Sequence, residues 1–175
     1  MYKILVVVDM QNDFISGALG SEKAREIVPR VAEKIRNFEG YVFYTRDTHE
    51  EDYARTREGR LLPIRHCIRG TKGWELCPEI DALKLEEPID KPSFGSVELA
   101  RRLMEMDAEE GVESVTLIGL CTDICVISNA FVIKTFLPEA DIIVDASCCA
   151  GVTKESHDRA LGAMAACQIQ IDNAE

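Results

Sequence analysis

The stretch "KILVVVDMQNDF", residues 3–14, decides the fold. Its core, ILVVV, is an unbroken run of aliphatic residues, mostly β-branched. Alternation of apolar and polar residues would mark a strand with one wet face. A continuous run marks a strand buried on both faces, as in a parallel sheet. The run stops at an acid, Asp9. Open parallel sheets bind their ligands beyond the carboxyl ends of the strands, near a topological switch point, so a carboxylate there is a candidate for chemistry.

Outward from this stretch, further segments read as strands: "YVFYTRD" (41–47), a weaker "LKLEEPID" (83–90), "SVTLIGL" (114–120), "ADIIVDA" (140–146) and "CQIQID" (167–172). Helical patterns fill most gaps. Residues 21–38 carry Ile27, Val31 and Ile35 at four-residue spacing, and residues 96–110 set Leu99, Leu103 and Met106 on one face. Residues 122–136 open with Thr122 and Asp123, both good N-cap types, and residues 153–166 open with Thr153 three before Ser156. Strand–helix alternation argues a single α/β domain, 1–175, built on a parallel sheet. The exception is about 48–82, rich in charge and containing Pro63, Gly70, Gly73 and Pro78. It reads as a long loop with at most short helices, and such loops are often functional.

The 175 residues suffice for one core. A formal net charge of −11 argues against nucleic acid and anionic membrane as partners. The seven cysteines are odd in number in a chain that is not small and shows no secretory signal, so they read as reduced thiols of a cytoplasmic protein. No apolar run is long enough to span a membrane.

The strand ends collect unlike groups. The first delivers Asp9, the second Asp47 and His49, the third Lys91, and the fourth "GLCTDIC" with Cys125 in the first turn of the next helix. A helix start lowers a thiol pKa, Lys91 would add to that, and the thiolate is the nucleophile. Asp9 could take the thiol proton and return it to a leaving amine, while backbone N–H groups hold an oxyanion. The bland readings are a buried structural cysteine and a solvated loop lysine. An Asp after a first apolar strand also opens the phosphatase motif of haloacid-dehalogenase-like enzymes, but the second Asp of that chemistry is replaced by Gln11. Asp13 could cap or orient the next segment. There is no glycine-rich phosphate loop.

"VVVDMQNDF", "DKPSFGS" and "LIGLCTDICV" resemble, in order and spacing, the three catalytic motifs of the isochorismatase-like cysteine hydrolases, which include the nicotinamidases. "DASCCAGVTKESHDRAL" resembles that superfamily's late segment. The resemblance covers nearly the whole chain. It implies a three-layer sandwich, a six-stranded parallel sheet with helices on both faces. It implies a triad of Asp9, Lys91 and Cys125, and a cis peptide before Cys121 that sets the N–H groups of Cys121 and Cys125 as an oxyanion hole. By motif, Asp47, His49 and the histidine of "HCIRGTKGWEL", His66, match the nicotinamidase metal ligands. Three such ligands imply one divalent ion, zinc, with manganese or iron as alternatives. The implied substrate is a small amide, nicotinamide first, stacked on Phe14 and within reach of Trp74. Alternatives are a vinyl-ether hydrolase or a carbamoyl or ureido amidase of the superfamily, or a non-catalytic metal-binding protein. A homo-oligomer is expected. Two positions depart from the nicotinamidase pattern: "RLLPIR" before His66 lacks an aromatic, and Glu50 stands where a proline often follows the Asp-x-His pair.

Overall fold

The computed structural model describes residues 1–174. Six parallel strands form one sheet: β1 (Tyr2–Val8), β2 (Tyr41–Asp47), β3 (Ile89–Lys91), β4 (Val112–Leu120), β5 (Asp141–Ala150) and β6 (Gln170–Asp172). Their spatial order is β3-β2-β1-β4-β5-β6. The chain runs outward to one edge from β1 and to the other from β4, so the switch point lies between these two strands. Asp9 follows the first of them and Cys121 the second.

Helices cover both faces. On one, Ile27, Val31 and Ile35 of α2 (Glu22–Arg36), after the short α1 (Asn12–Ile15), pack with Leu5 and Val7 of β1. On the other, α5 (Val97–Glu110), α6 (Ile127–Phe136) and α7 (Lys154–Ala166) bury Leu99, Leu103, Ile133 and Met164 against Ile4, Val6 and Val8. Alternate residues of β1 therefore serve two cores, which is why its sequence carries no polar alternation. Among the described residues, no helix is long and apolar enough to cross a membrane.

Caps follow the sequence at three helices. Ser21 accepts the Ala24 N–H, Ser96 accepts the Leu99 N–H, and Thr153 with Ser156 forms a capping box. The start of α6 differs from expectation. Thr122 and Asp123 lie inside a π-helical turn, Thr122–Val126, and neither caps it. Both side chains serve the α7 region instead: Thr122 Oγ1 lies 2.7 Å from His157 Nδ1, and Asp123 accepts the Val152 N–H at 3.1 Å. The third strand is also shorter than 83–90, because only Ile89–Lys91 pair with Thr45–Asp47. Leu83 still packs against the core, but Leu85 is 95% exposed, so the segment between them and Pro88 leaves the sheet. The last strand begins at Gln170 rather than 167, since Ile169 N–H still returns to the α7 residue Met164. The 48–82 stretch holds a 3-10 turn (Tyr53–Arg55), α3 (Arg57–Leu61) and α4 (Pro78–Asp81).

Candidate active site and metal cluster

At the end of β1 the chain turns sharply at Asp9, whose φ of 48° is in the left-handed region that Asp tolerates better than most residues. The turn points its side chain into the crevice between β1 and its neighbours, fully buried. Thr45 of β2 donates to Asp9 Oδ1 at 2.7 Å. Lys91, at the end of β3, places Nζ 2.6 Å from Asp9 Oδ2 and 3.4 Å from Cys125 Sγ. Cys125 is presented by the π turn, whose Ile124 and Val126 N–H groups both return to the Cys121 carbonyl. The Leu120–Cys121 peptide is cis. Gly119 pairs with Val8, and a Cβ there would run into the Val8 carbonyl, so β4 approaches β1 this closely only with glycine.

Burial dominates the charges. It pushes the Cys125 thiol well above its ordinary range, with the Asp9 charge adding to that and Lys91 only partly opposing it. Burial thus works against the thiolate that the helix start and Lys91 favour. Burial also raises Asp9 against the pull of Lys91, which suits a carboxylate that must accept a proton. Lys91 itself is held above the ordinary lysine range: burial alone would lower it, but Asp9 and Cys125 outweigh that. It stays a cation.

The second constellation adjoins the first, since Asp47 Oδ1 lies 3.7 Å from Lys91 Nζ. Asp47 and His49 leave β2 on the same side, and His66 returns from the loop. His49 Nε2 is 2.9 Å, and His66 Nε2 3.5 Å, from Asp47 Oδ2. His66 Nδ1 lies 2.8 Å from the Ile64 carbonyl, a contact that leaves Nε2 as the ligating atom. Sequence reasoning missed a fourth member, Glu58, whose Oε1 is 3.5 Å from His49 Nε2 and 3.8 Å from His66 Nε2. Its only signal was its place in the charged loop. Thr56 caps α3 by accepting the Gly59 N–H at 2.9 Å, and a Cβ on Gly59 would strike the Tyr53 carbonyl. Cap and glycine together hold Glu58 toward the histidines.

One potential ligand atom from each of Asp47, His49, Glu58 and His66 lies within 4.8 Å of the other three. Asp47 Oδ1 and His49 Nε2 are buried yet make no properly directed hydrogen bond. Such orphaned atoms are costly unless something else satisfies them. Two nitrogens and two carboxylates fit a divalent cation. Burial raises the Asp47 carboxyl, but the neighbouring His49 and His66, with Lys91, outweigh it and hold the group well below the usual carboxylate range.

A cavity of about 420 Å3 joins the two sets: Asp47, Glu58 and His66 line it on one side, Cys121 and Cys125 on the other. Phe14, Leu61, Leu62 and Phe94 give it apolar walls. Trp74 is not among its lining residues. Its indole N–H donates to Thr48 Oγ1 at 2.9 Å, and the Arg46 guanidinium stacks 3.7 Å above its ring. The side chain is engaged in bracing the end of β2.

Comparison with known proteins bears on this geometry. The isochorismatase domain family matches residues 3–175. The nicotinamidase/pyrazinamidase of Mycobacterium tuberculosis is 28% identical over 144 residues, 73% of this chain and 76% of the relative. The nicotinamidase of Acinetobacter baylyi is 27% identical over 170 residues, 81% of this chain and 79% of the relative. Among solved structures, the pyrazinamidase of Pyrococcus horikoshii in complex with zinc superposes with a TM-score of 0.79 at 29% identity, covering 98% of each chain. Fold, cavity and these likenesses define an enzyme of the hydrolase class. The chain belongs to the isochorismatase domain family.

Proposed function

We propose that the protein is a single-domain cysteine amidohydrolase that converts nicotinamide to nicotinate and ammonia. The observation that carries this reading is one buried lysine ammonium within 2.6 Å of Asp9 and 3.4 Å of Cys125, the latter lining a cavity together with Asp47, Glu58 and His66 of the cluster. Asp9 takes the Sγ proton as the sulfur attacks the amide carbon. The oxyanion is met by the N–H groups of Cys121 and Cys125. Asp9 then returns the proton to the amide nitrogen, the C–N bond breaks, and ammonia leaves a thioester on Cys125. A water gives its proton to Asp9 and attacks the thioester carbon; the C–S bond breaks, the acid departs, and the sulfur recovers its proton. Throughout, Lys91 keeps two developing anions tolerable in a buried site. Phe14 offers a face for an aromatic ring.

Asp47, His49, Glu58 and His66 would hold one divalent ion, for which we propose zinc, the metal of the Pyrococcus horikoshii relative. When bound, it supplies a Lewis-acidic position for a ring nitrogen or a water. The test is ammonia release from a panel of small amides containing nicotinamide, benzamide and an aliphatic ureide. Preference for the pyridine amide over benzamide supports the reading. Release only from the ureide would replace it with a carbamoyl-type amidase.

A further inference from the structure

In the register of β1 and β2, Val8 pairs with Thr45, so Asp47 would next pair with Met10. The turn at Asp9 takes the β1 backbone away before that can happen. The pairing is made instead by a side chain. Gln11, fully buried, accepts the Asp47 N–H at 2.7 Å through Oε1 and donates to the Asp47 carbonyl at 2.8 Å through Nε2. A carboxamide is a peptide group in miniature, so Gln11 prolongs the sheet by one residue pair at the position where Asp47 leaves it. Its second N–H donates to the Trp74 carbonyl at 2.8 Å.

Asp13, two residues on, holds the other side of the cluster. Its Oδ2 accepts the Cys67 N–H at 2.8 Å, immediately after His66, where the chain takes a positive φ of 47°. The Cys67 carbonyl in turn accepts the His49 N–H at 3.0 Å. Hydrogen bonds from one short segment after β1 thus fix the backbone at Asp47, beside His66 and, through Cys67, at His49. Neither Gln11 nor Asp13 is in the cluster.

We infer that Gln11 and Asp13 are positioning residues that preorganise the metal site; this rests on the proposed metal binding. Ligands on a long loop must otherwise be ordered when the ion binds, and outer partners of metal ligands commonly control affinity by about 10–100-fold. The experiment measures zinc affinity by competition with a chromophoric chelator, on protein whose metal-free fold is checked by circular dichroism. Gln11→Met, of similar volume, and Asp13→Ala are each expected to weaken zinc by about 10–100-fold. Asp13→Asn keeps an acceptor for the Cys67 N–H and is expected to restore most of the loss. Asn12→Ala is the control: it removes a bond from the same turn to the Lys72 carbonyl of the loop, without touching a ligand-bearing segment. It is expected to leave affinity unchanged. Wild-type zinc affinity in both Gln11→Met and Asp13→Ala overturns the inference alone. So does an equal loss in Asn12→Ala, which would make it general loop ordering. A wild-type protein that binds no divalent ion overturns the inference together with the metal site on which it rests.

Discussion

Two halves of one cavity are built by different means. Asp9, Lys91 and the turn bearing Cys125 stand at the ends of β1, β3 and β4, strands of one parallel sheet, and the sheet together with the π turn sets their spacing. The metal cluster takes only Asp47 from a strand. His49, Glu58 and His66 come from the segment after β2, a region of short helices and side-chain-to-backbone bonds. The difference teaches that the chemical half tolerates changes in the loop, whereas the metal half depends on small polar contacts that can be removed one at a time.

The comparison predicts effects of graded size. Largest is Cys125→Ala, which should lower turnover by on the order of 10^4- to 10^6-fold, as loss of a nucleophile does elsewhere, with an unchanged circular dichroism spectrum. Cys121→Ala should be mild, because only its backbone is used. Equal losses in the two would break the assignment of the chemical half.

Next is Lys91→Met, which leaves the Asp9 carboxylate buried without its cation. Removing one partner of such a pair costs about 3–5 kcal/mol, read as a lower urea midpoint. An unchanged midpoint would mean that the pair is not structural. Smaller again is Glu58→Gln, which should weaken zinc by about 10–100-fold and raise KM more than it lowers kcat. Alkylation of the cysteine should be unchanged in this variant. If it changed, the two halves would not be separable.

The smallest effect belongs to an ion pair outside both halves. Lys34 bonds Asp145 at 2.8 Å. Burial alone would raise the Asp145 carboxyl, but Lys34, Asn173 and Ser147 hold it below the ordinary carboxylate range. A carboxyl depressed on folding adds stability above its unfolded pKa and loses it as pH falls through the folded value. Acidification from neutral to below the carboxylate range should therefore cost the wild type about 1 kcal/mol or less more than Asp145→Asn, read by urea unfolding. Metal affinity and turnover at neutral pH should be the same in both.

The same contrast explains what could be read in the sequence. Continuous apolar runs such as ILVVV reveal strands buried on both faces, and a polar residue where such a run ends falls in the crevice, as Asp9 does; Lys91 follows the weak pattern LKLEEPID, of which only Ile89 and Asp90 join the strand. Asp47 and His49 follow from the same rule. Glu58 does not, because no periodicity connects a loop glutamate to a histidine eight residues later; its position depends on the Thr56 cap and the space left by Gly59. The partners of Trp74, Thr48 and Arg46, are not legible for the same reason, as they are tertiary neighbours. The opposing influence on Cys125 is not legible either, because a helix start is visible in sequence, while complete burial beside Asp9 is not.

The central claim is that Cys125 carries the acyl group. Acid-quenching the enzyme during turnover of nicotinamide, followed by intact-mass and peptide-level mass spectrometry, tests it most directly. A nicotinoyl adduct is expected on the peptide containing Cys125, labile to hydroxylamine and missing in Cys125→Ala. Continued ammonia release by Cys125→Ala, with no adduct on either protein, would contradict it.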